Sequence, residues 1–261
     1  MSHQPRKRFG QHFLHDRSVI QHIVDAVNPD EQVPIVEIGP GLGALTLPLL
    51  QRVAALDVVE IDRDLAQALA DKCHNIGELR IHQGDALKFE FCTLHNEKIK
   101  IIGNLPYNIS TPLLFHLLKQ IDCINSMLFM MQKEVVERIC AEKDSKHYGR
   151  LTVMIQSQCH VEKLLTIGAG AFTPPPKVES SLIRLRPLAS EQFQIMDNDL
   201  FSQIVKLAFN YRRKTLRNAL RGLVDESIFG ELGIVSTSRA ENLTIRDFAA
   251  MANYLYKLNN Q

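Results

Sequence analysis

The sequence predicts a doubly wound α/β domain followed by a small, all-helical domain. Short apolar runs alternate with helical patterns from residue 35 to about residue 130, as expected for parallel strands covered by helices on both faces. A glycine-rich turn follows the first of these runs, and beyond about residue 190 the pattern is helical throughout. We therefore place the domain boundary so that the two domains span 1–188 and 189–261.

The elements of the first domain follow in order along the chain. Apolar runs predict strands, and periodic apolar positions predict the helices between them. The strands are Ile35–Ile38, Leu56–Ile61, Leu79–His82, Ile99–Gly103 and Ser126–Met131. The helices include Leu42–Arg52, Leu65–Cys73 and Thr111–Lys119. Two further β runs, Leu151–His160 and Ser181–Leu185, are expected to finish the sheet as an antiparallel edge.

The second domain combines helix signals with basic charge. Thr244 precedes an apolar-periodic run and is expected to cap the last helix. No acidic residue occurs from Leu200 to Val224, a stretch that contains Lys206, Arg212, Arg213, Lys214, Arg217 and Arg221. A second cluster consists of Arg6, Lys7 and Arg8. Two basic patches on a protein of net charge +1 suit a phosphate backbone bound on one side, although a solvated helix face would give the same pattern.

Composition excludes several classes of protein. The 261 residues are 45% hydrophobic and 23% charged, as in an ordinary globular protein. No apolar run approaches membrane-spanning length, and the start of the chain is polar and basic, unlike a secretory signal. The five cysteines contain no CxxC pair, so we expect reduced thiols and neither a zinc site nor a disulfide. We expect a cytoplasmic monomer without metal or membrane contact.

The turn after the first strand reads Glu37-Ile38-Gly39-Pro40-Gly41-Leu42-Gly43. Glycines allow a tight turn and let a ligand approach the main chain. With Ala44, the spacing also satisfies the dinucleotide pattern G-x-G-x-x-G/A, and Glu60 lies near the distance expected for an acid that binds ribose hydroxyls. This turn alone therefore fits an NAD enzyme as well as an S-adenosylmethionine enzyme.

The ends of the later strands favour a methyltransferase. Asp85 follows the third strand, where its carboxylate can accept a hydrogen bond from a ligand amino group. The fourth strand ends in Asn104-Leu105-Pro106-Tyr107. The Asn104 side-chain oxygen and the Leu105 carbonyl can accept the two N–H bonds of an exocyclic amino group, while Tyr107 stacks on the base. The alternative is a plain helix N-terminus with proline in its first turn.

Motifs in a fixed order resemble those of the ribosomal RNA adenine N6,N6-dimethyltransferases, from about residue 6 to the C-terminus. The motifs are Gln11–Leu14, Glu37–Gly43, Gly84–Ala86, Asn104–Tyr107, Tyr148–Leu151, Phe172–Ser180, Arg212–Asn218 and Arg239–Leu243. Within that family, the chain is most similar to bacterial members that dimethylate two adjacent adenosines in the 3′-terminal hairpin of 16S rRNA and whose loss gives kasugamycin resistance. The resemblance implies a Rossmann-like doubly wound sheet with S-adenosylmethionine as cofactor.

The resemblance also implies roles for individual residues. Those expected to bind the cofactor are Gln11, His12, Leu14, Gly39, Gly41, Glu60, Asp85 and Asn104. Glu60 would bind the ribose hydroxyls and Asp85 the adenine amino group. Those expected to hold the target adenine are Asn104, Leu105, Tyr107 and Phe172, with Phe172 on the opposite side of the base. The RNA-binding residues would be Arg6, Lys7, Arg8, Arg212, Arg213, Lys214 and Arg217.

The expected function is therefore methyl transfer to 16S rRNA in the small ribosomal subunit or its precursor. The family also contains antibiotic-resistance dimethylases of 23S rRNA and mitochondrial transcription factors, but Arg212–Asn218 and the proline-rich loop favour the small-subunit enzyme. A DNA adenine methyltransferase shares the tetrapeptide chemistry. The alternatives from other classes are a non-catalytic RNA-binding assembly factor and an NAD-dependent oxidoreductase.

Overall fold

The computed structural model describes residues 12–30, 32–189, 192–211 and 213–260. The chain divides into two compact units. The first runs to Val136 and resumes over Val161–Pro187, and the second comprises Glu137–His160 together with the chain from Leu188 onward. The segment Glu137–His160 therefore belongs to the second unit, although it precedes Val161–Pro187 of the first unit in the sequence.

Nine strands and ten helices are found in the described part of the chain. The strands are β1 (Phe13–Leu14), β2 (Ile35–Ile38), β3 (Ala55–Glu60), β4 (Glu78–Gln83), β5 (Ile99–Asn104), β6 (Ile124–Gln132), β7 (Cys159–Ile167), β8 (Phe172–Thr173) and β9 (Ser180–Pro187). The helices are α1 (Arg17–Val27), α2 (Thr46–Leu50), α3 (Arg63–Cys73), α4 (Ser110–Leu118), α5 (Lys133–Ile139), α6 (Arg150–Gln156), α7 (Asn198–Phe209), α8 (Leu216–Ala219), α9 (Glu226–Glu231) and α10 (Ile245–Asn259).

Seven strands form one sheet in the order β4-β3-β2-β5-β6-β9-β7. The strands from β4 to β6 are parallel, and β9 pairs antiparallel with β6. The order reverses next to β2, whose neighbours are β3 on one side and β5 on the other. That reversal is the topological switch point at which open α/β sheets bind ligands, beyond the carboxyl ends of the strands. The predicted doubly wound fold class is confirmed.

Two predicted elements are wrong in part. Leu151–His160 was expected to be a strand, but its first half lies in helix α6 and only its end, from Cys159, enters β7. A short, continuous apolar run cannot distinguish a buried helix from a buried strand. The predicted helix Leu42–Arg52 shortens to α2 because Gly43 has a φ of 85°, which an α-helix does not admit.

The core of the first unit packs apolar side chains of the strands against α1, α2 and α3. Val24, Leu49, Leu56 and Val58 are fully buried in this cluster. Cys92 and Cys123 are joined by a disulfide bond, so the expectation that all five cysteines are reduced thiols is wrong. The remaining three, Cys73, Cys140 and Cys159, form no disulfide bond.

The second unit is built around α7 and α10. The ring of Phe209, at the end of α7, lies 5.8 Å from that of Phe248 on α10 and 6.1 Å from that of Tyr148. The Tyr148 hydroxyl donates a hydrogen bond of 2.9 Å to the carbonyl of Leu243. Thr244 caps α10 as predicted, because its hydroxyl accepts a hydrogen bond from the backbone N–H of Asp247. No helix in the described ranges is both long and apolar enough to cross a membrane.

Candidate active site

A cavity of about 250 Å³ lies beyond the carboxyl ends of β2, β3, β4 and β5. Strand-end and loop residues from all four strands line it, together with residues of β1 and β8. It includes His12, Leu14, Gly39, Gly41, Glu60, Asp85, Asn104, Leu105, Tyr107 and Phe172. Folding thus brings the predicted cofactor-binding and target-binding residues of this unit around one cavity. Gln11 lies outside the described residues.

The glycine turn forms one wall of the cavity. Gly39 and Gly41 have φ values of 66° and 56°, in the left-handed region that disfavours residues with a Cβ. A Cβ on Gly41 would also meet the ring of Phe13 at 3.2 Å. The sequence therefore uses glycine at position 41 for conformation and for space, and the backbone there stays open to a ligand.

Two carboxylates stand at the ends of neighbouring strands. Glu60 is buried at 5% exposure and accepts hydrogen bonds from the backbone N–H groups of Asp62 at 2.8 Å and Gly41 at 3.4 Å. Burial raises its pKa. Asp85 Oδ1 accepts a hydrogen bond of 2.9 Å from the N–H of Leu87. Both side chains are held by backbone donors at the cavity wall, and each is an acceptor for ligand hydroxyl or amino groups.

Asn104 ends β5 and its amide orientation is fixed by the chain. Its Nδ2 donates a hydrogen bond of 3.0 Å to the carbonyl of His12. The Oδ1 atom has no hydrogen-bond partner among the residues that the structure describes. Leu105 is anchored by its own N–H, which donates to the carbonyl of Met130 at 3.0 Å. Asn104 Oδ1 is therefore an acceptor available to a ligand, with the Leu105 backbone next to it.

Tyr107 is held from two sides. Its hydroxyl lies 3.0 Å from Ser180 Oγ, on β9. Its ring stacks on that of His12 with centroids 5.7 Å apart and an interplanar angle of 29°. His12 is fixed in turn, because its Nδ1 lies 2.7 Å from the carbonyl oxygen of Pro174. Burial raises the pKa of the Tyr107 phenol, so the group stays neutral.

Phe172 reaches the cavity through a separate two-stranded sheet. β1 pairs antiparallel with β8, which sets Leu14 opposite Phe172. Phe172 is 3% exposed, and both residues belong to the core cluster of the first unit. The pairing explains why a segment near the N-terminus and one near residue 172 can serve the same site. The role of Phe172 on the far face of a target base stays a prediction.

Sequence reasoning missed the buried pair of Glu37 and Thr46. Glu37 is 2% exposed, and its Oε2 accepts a hydrogen bond of 2.6 Å from Thr46 Oγ1. Burial, and to a smaller extent the charge of Glu60, raise the pKa of Glu37 to about 7, although the Thr46 hydrogen bond opposes this. The partner of Tyr107, Ser180, was also missed. Only the tertiary pairing reveals either contact, since no local spacing signals it.

Of the predicted RNA-binding residues, those that the structure describes are not among the residues that line this cavity. Arg213, Lys214 and Arg217 are exposed side chains of the second unit. Arg6, Lys7, Arg8 and Arg212 lie outside the described residues. In the ranges that the structure covers, no group of three or more histidine, cysteine or acidic residues is arranged to hold a metal ion.

Comparison with known proteins identifies the family. A family model described as ribosomal RNA adenine dimethylase matches residues 2–257. The chain is 48% identical over 259 residues to the ribosomal RNA small subunit methyltransferase A of Nitrosococcus oceani, with 98% of each chain covered. It is 50% identical over 254 residues to the protein of the same name from Chromobacterium violaceum, with 97% of each covered.

Solved structures agree with this assignment. A dimethyladenosine transferase from Plasmodium falciparum superimposes with a TM-score of 0.83 at 25% identity, covering 95% of this chain and 98% of that chain. The 23S rRNA methyltransferase ErmE has a TM-score of 0.70 at 24% identity, over 94% of this chain and 99% of that chain, and shows the shared fold. These findings confirm the predicted fold class and rule out the oxidoreductase. The chain belongs to the ribosomal RNA adenine dimethylase family, with S-adenosylmethionine as its methyl donor.

Proposed function

We propose that this enzyme dimethylates N6 of two adjacent adenosines in the 3′-terminal hairpin of 16S rRNA, within the small ribosomal subunit or its precursor. The relatives from Nitrosococcus oceani and Chromobacterium violaceum are named as small subunit methyltransferases, which supports this choice of RNA. The cytoplasm is the compartment in which such a substrate occurs in bacteria. We further propose that the enzyme acts as a monomer.

The observation that carries the proposal is the fixed amide of Asn104. Because Nδ2 is committed to the His12 carbonyl at 3.0 Å, the amide cannot flip without losing that bond. Oδ1 is then the acceptor offered to the cavity, and the Leu105 main chain adjoins it. An exocyclic amino group presents two N–H donors in one plane, so two neighbouring acceptors match its chemistry.

The residues present fit the methyl donor. The left-handed glycine turn leaves the main chain open, while Glu60 and Asp85 offer carboxylate oxygens on the adjoining strands. We assign the ribose hydroxyls to Glu60 and the donor's adenine amino group to Asp85. His12, Leu14, Gly39 and Gly41 would surround the amino-acid end. S-adenosylmethionine supplies a methyl group activated by a sulfonium.

The chain's own residues act on the nucleophile. The lone pair of adenine N6 is delocalised into the ring, and acceptors on its N–H bonds favour its localisation on nitrogen. Asn104 Oδ1 and the Leu105 carbonyl would supply those acceptors, and Tyr107 would hold the ring by stacking. Positioning and fixed dipoles carry the acceleration. N6 becomes acidic only after it is alkylated, so its proton can leave to solvent and no strong general base is required.

Dimethylation places a further demand on the site. After the first transfer, N6 has one fewer N–H bond and one more methyl group to accommodate. The target base must also leave its stack or be unpaired before it can enter the cavity. Sequence-specific RNA readers favour loops and helix ends, and a hairpin supplies both.

The test is methyl transfer from labelled S-adenosylmethionine to small ribosomal subunits that lack the modification. Unmodified large-subunit RNA is treated in parallel, and the digested nucleosides are identified by mass spectrometry. We expect N6,N6-dimethyladenosine in the small subunit alone. Dimethyladenosine only in large-subunit RNA would instead place the enzyme with the antibiotic-resistance dimethylases of 23S rRNA. Tight subunit binding without any transfer would instead indicate an assembly factor.

A further inference from the structure

Tyr211 is an unusually exposed aromatic side chain in the second unit. It is 64% exposed, which together with Val235 is the largest exposure found for a big apolar side chain in the described residues. Its hydroxyl makes no hydrogen bond to any part of the chain that the structure covers. Tyrosine usually keeps its ring against the protein and only its hydroxyl in water. Because the Tyr211 ring is largely in solvent and its hydroxyl is not bound to the described chain, the side chain is available to a partner.

The surroundings of Tyr211 are strongly basic. Arg213, Lys214, Arg217 and Arg221 are all exposed. None of them forms an ion pair with an acidic residue of the described chain. Since no acid occurs between residues 200 and 224, their charges are not neutralised locally. The aromatic ring therefore lies within a segment that attracts anions.

The segment that carries the ring is anchored at both ends. Before it, Phe209 packs against Tyr148 and Phe248. Within it, the Lys214 N–H donates to the Tyr211 carbonyl at 3.0 Å and closes a turn.

After the turn, the chain is fixed to the loop that follows α9. The N–H groups of Leu216 and Arg217 donate to the carbonyls of Ser238 at 2.8 Å and Ser236 at 3.1 Å. Ring and cations are thus presented on a backbone that is already ordered, which lowers the entropy cost of binding.

We propose that Tyr211 is a stacking platform for an unpaired RNA base, while Arg213, Lys214 and Arg217 bind the phosphates on either side of that nucleotide. A nucleotide joins a flat ring to a phosphate, and the segment offers a partner for each. This inference rests on the proposed function only in taking RNA as the partner.

An anionic membrane fits the segment less well. Interfacial binding uses an amphipathic helix with an extended apolar face. Tyr211 lies instead in a turn between α7 and α8, with Asn210 before it and Arg213 after it. One ring among polar neighbours provides little apolar area to insert, whereas it is sufficient to stack on one base.

The test is a thermodynamic cycle between the aromatic ring and the bases. Binding of the full chain to a fluorescein-labelled adenosine decamer is compared with binding to an abasic decamer of equal charge. The proteins are wild type, Tyr211→Ala, Tyr211→Phe and Tyr211→Leu. Leu258→Ala, at a residue 48% exposed on α10, is the matched control. Melting temperatures and S-adenosylmethionine affinities show whether each variant is folded.

We expect Tyr211→Ala to weaken decamer binding about 5- to 150-fold, the range given by stacking of one base on an aromatic ring. Binding to the abasic decamer should not change, and Tyr211→Phe should bind like wild type while Tyr211→Leu does not. The salt dependence should keep its slope in Tyr211→Ala, because the ring neutralises no phosphate. In Lys214→Ala the slope should fall by about 0.7.

Several results would overturn the inference. One is a wild-type protein that binds both decamers equally, and another is a base preference that survives in Tyr211→Ala. Full rescue by Tyr211→Leu would indicate simple apolar contact. If Tyr211→Ala binds RNA like wild type but loses the binding that wild type shows to phosphatidylserine vesicles, the partner of Tyr211 is an anionic membrane. If wild type shows Tyr211-dependent base binding but transfers no methyl group to subunits, the proposed function fails and this inference stands.

Discussion

Replacing Glu37 by glutamine tests the electrostatics of the buried wall of the site. The pKa of Glu37 rises from an ordinary value of 4.5 to about 7 because burial penalises its ionised form. At a pH between about 4.5 and about 7, the Glu37 carboxyl is protonated in the folded protein and ionised in the unfolded chain. Stability therefore falls as pH rises from about 4.5 to about 7 and levels off above that.

The size of the effect follows from the difference of about 2.5 between the ordinary pKa of 4.5 and the raised pKa of about 7. At 1.36 kcal/mol per pKa unit, ionising Glu37 costs about 3 kcal/mol of folding free energy above pH 7. Glutamine at position 37 never ionises, and its carbonyl can still accept the hydrogen bond from Thr46 Oγ1. Glu37→Gln should exceed wild type in stability by less than about 1 kcal/mol near pH 5 and by up to about 3 kcal/mol at pH 8.

Urea unfolding of the cofactor-free proteins at a series of pH values from 5 to 8 measures this difference. Thr46→Val is the companion variant: it removes the hydrogen bond that lowers the Glu37 pKa, so its loss of stability should extend to higher pH than in wild type. An equal stability difference between wild type and Glu37→Gln at pH 5 and pH 8 would refute the reasoning, since other titrating groups are shared.

Three further changes have defined outcomes. Asp57→Ala leaves the Nε2 atoms of His82 and His95 without the carboxylate that they contact at 2.7 and 2.9 Å; the free energy of unfolding should fall by about 1–3 kcal/mol for each unpaired donor, as urea titration will show. Ser180→Ala removes the hydrogen-bond partner of the Tyr107 hydroxyl. Losing about 1 kcal/mol of hydrogen-bond energy that positions Tyr107 should slow methyl transfer about fivefold without changing S-adenosylmethionine affinity. A parallel loss of cofactor affinity would argue against a role confined to the target base. Lys214→Ala should weaken binding to small subunits and reduce the slope of log affinity against log salt by the amount expected for about one phosphate contact. An unchanged slope in filter binding would count against this basic segment as an RNA contact.

Sequence reasoning succeeded where local pattern decides the structure. Apolar runs located β2, β3, β4, β5, β6 and β9, and the helical patterns between the first five indicated that these strands are parallel. The residues at the carboxyl ends of these strands meet in one cavity because parallel strands end on the same edge of the sheet. Gly41, Asp85 and Asn104 could be placed at the site in this way.

Contacts between distant segments could not be predicted from local sequence patterns. The antiparallel position of β9 beside β6 brings Ser180 to Tyr107, 73 residues earlier in the chain, and no local signal encodes that pairing. The same holds for the bond from Asn104 to the His12 carbonyl. The helix α6 was mistaken for strand because its apolar side chains are buried all round, which removes the periodicity that identifies a helix.

The most direct measurement is single-turnover methyl transfer by wild type and Asn104→Ala on small subunits that lack the modification, with S-adenosylmethionine affinity measured in the same preparations. The matched variant is Asn104→Asp, which keeps an acceptor but loses the Nδ2 donor to His12. Although Asn104 was also expected to contact the cofactor, Glu60, Asp85 and the glycine turn remain to hold the methyl donor in Asn104→Ala. The account therefore predicts that this variant binds the methyl donor like wild type and loses methyl transfer by 100-fold or more, on the order of what removing one fixed dipole costs. Wild-type rates in Asn104→Ala would contradict the central claim that this side chain grips the target amino group.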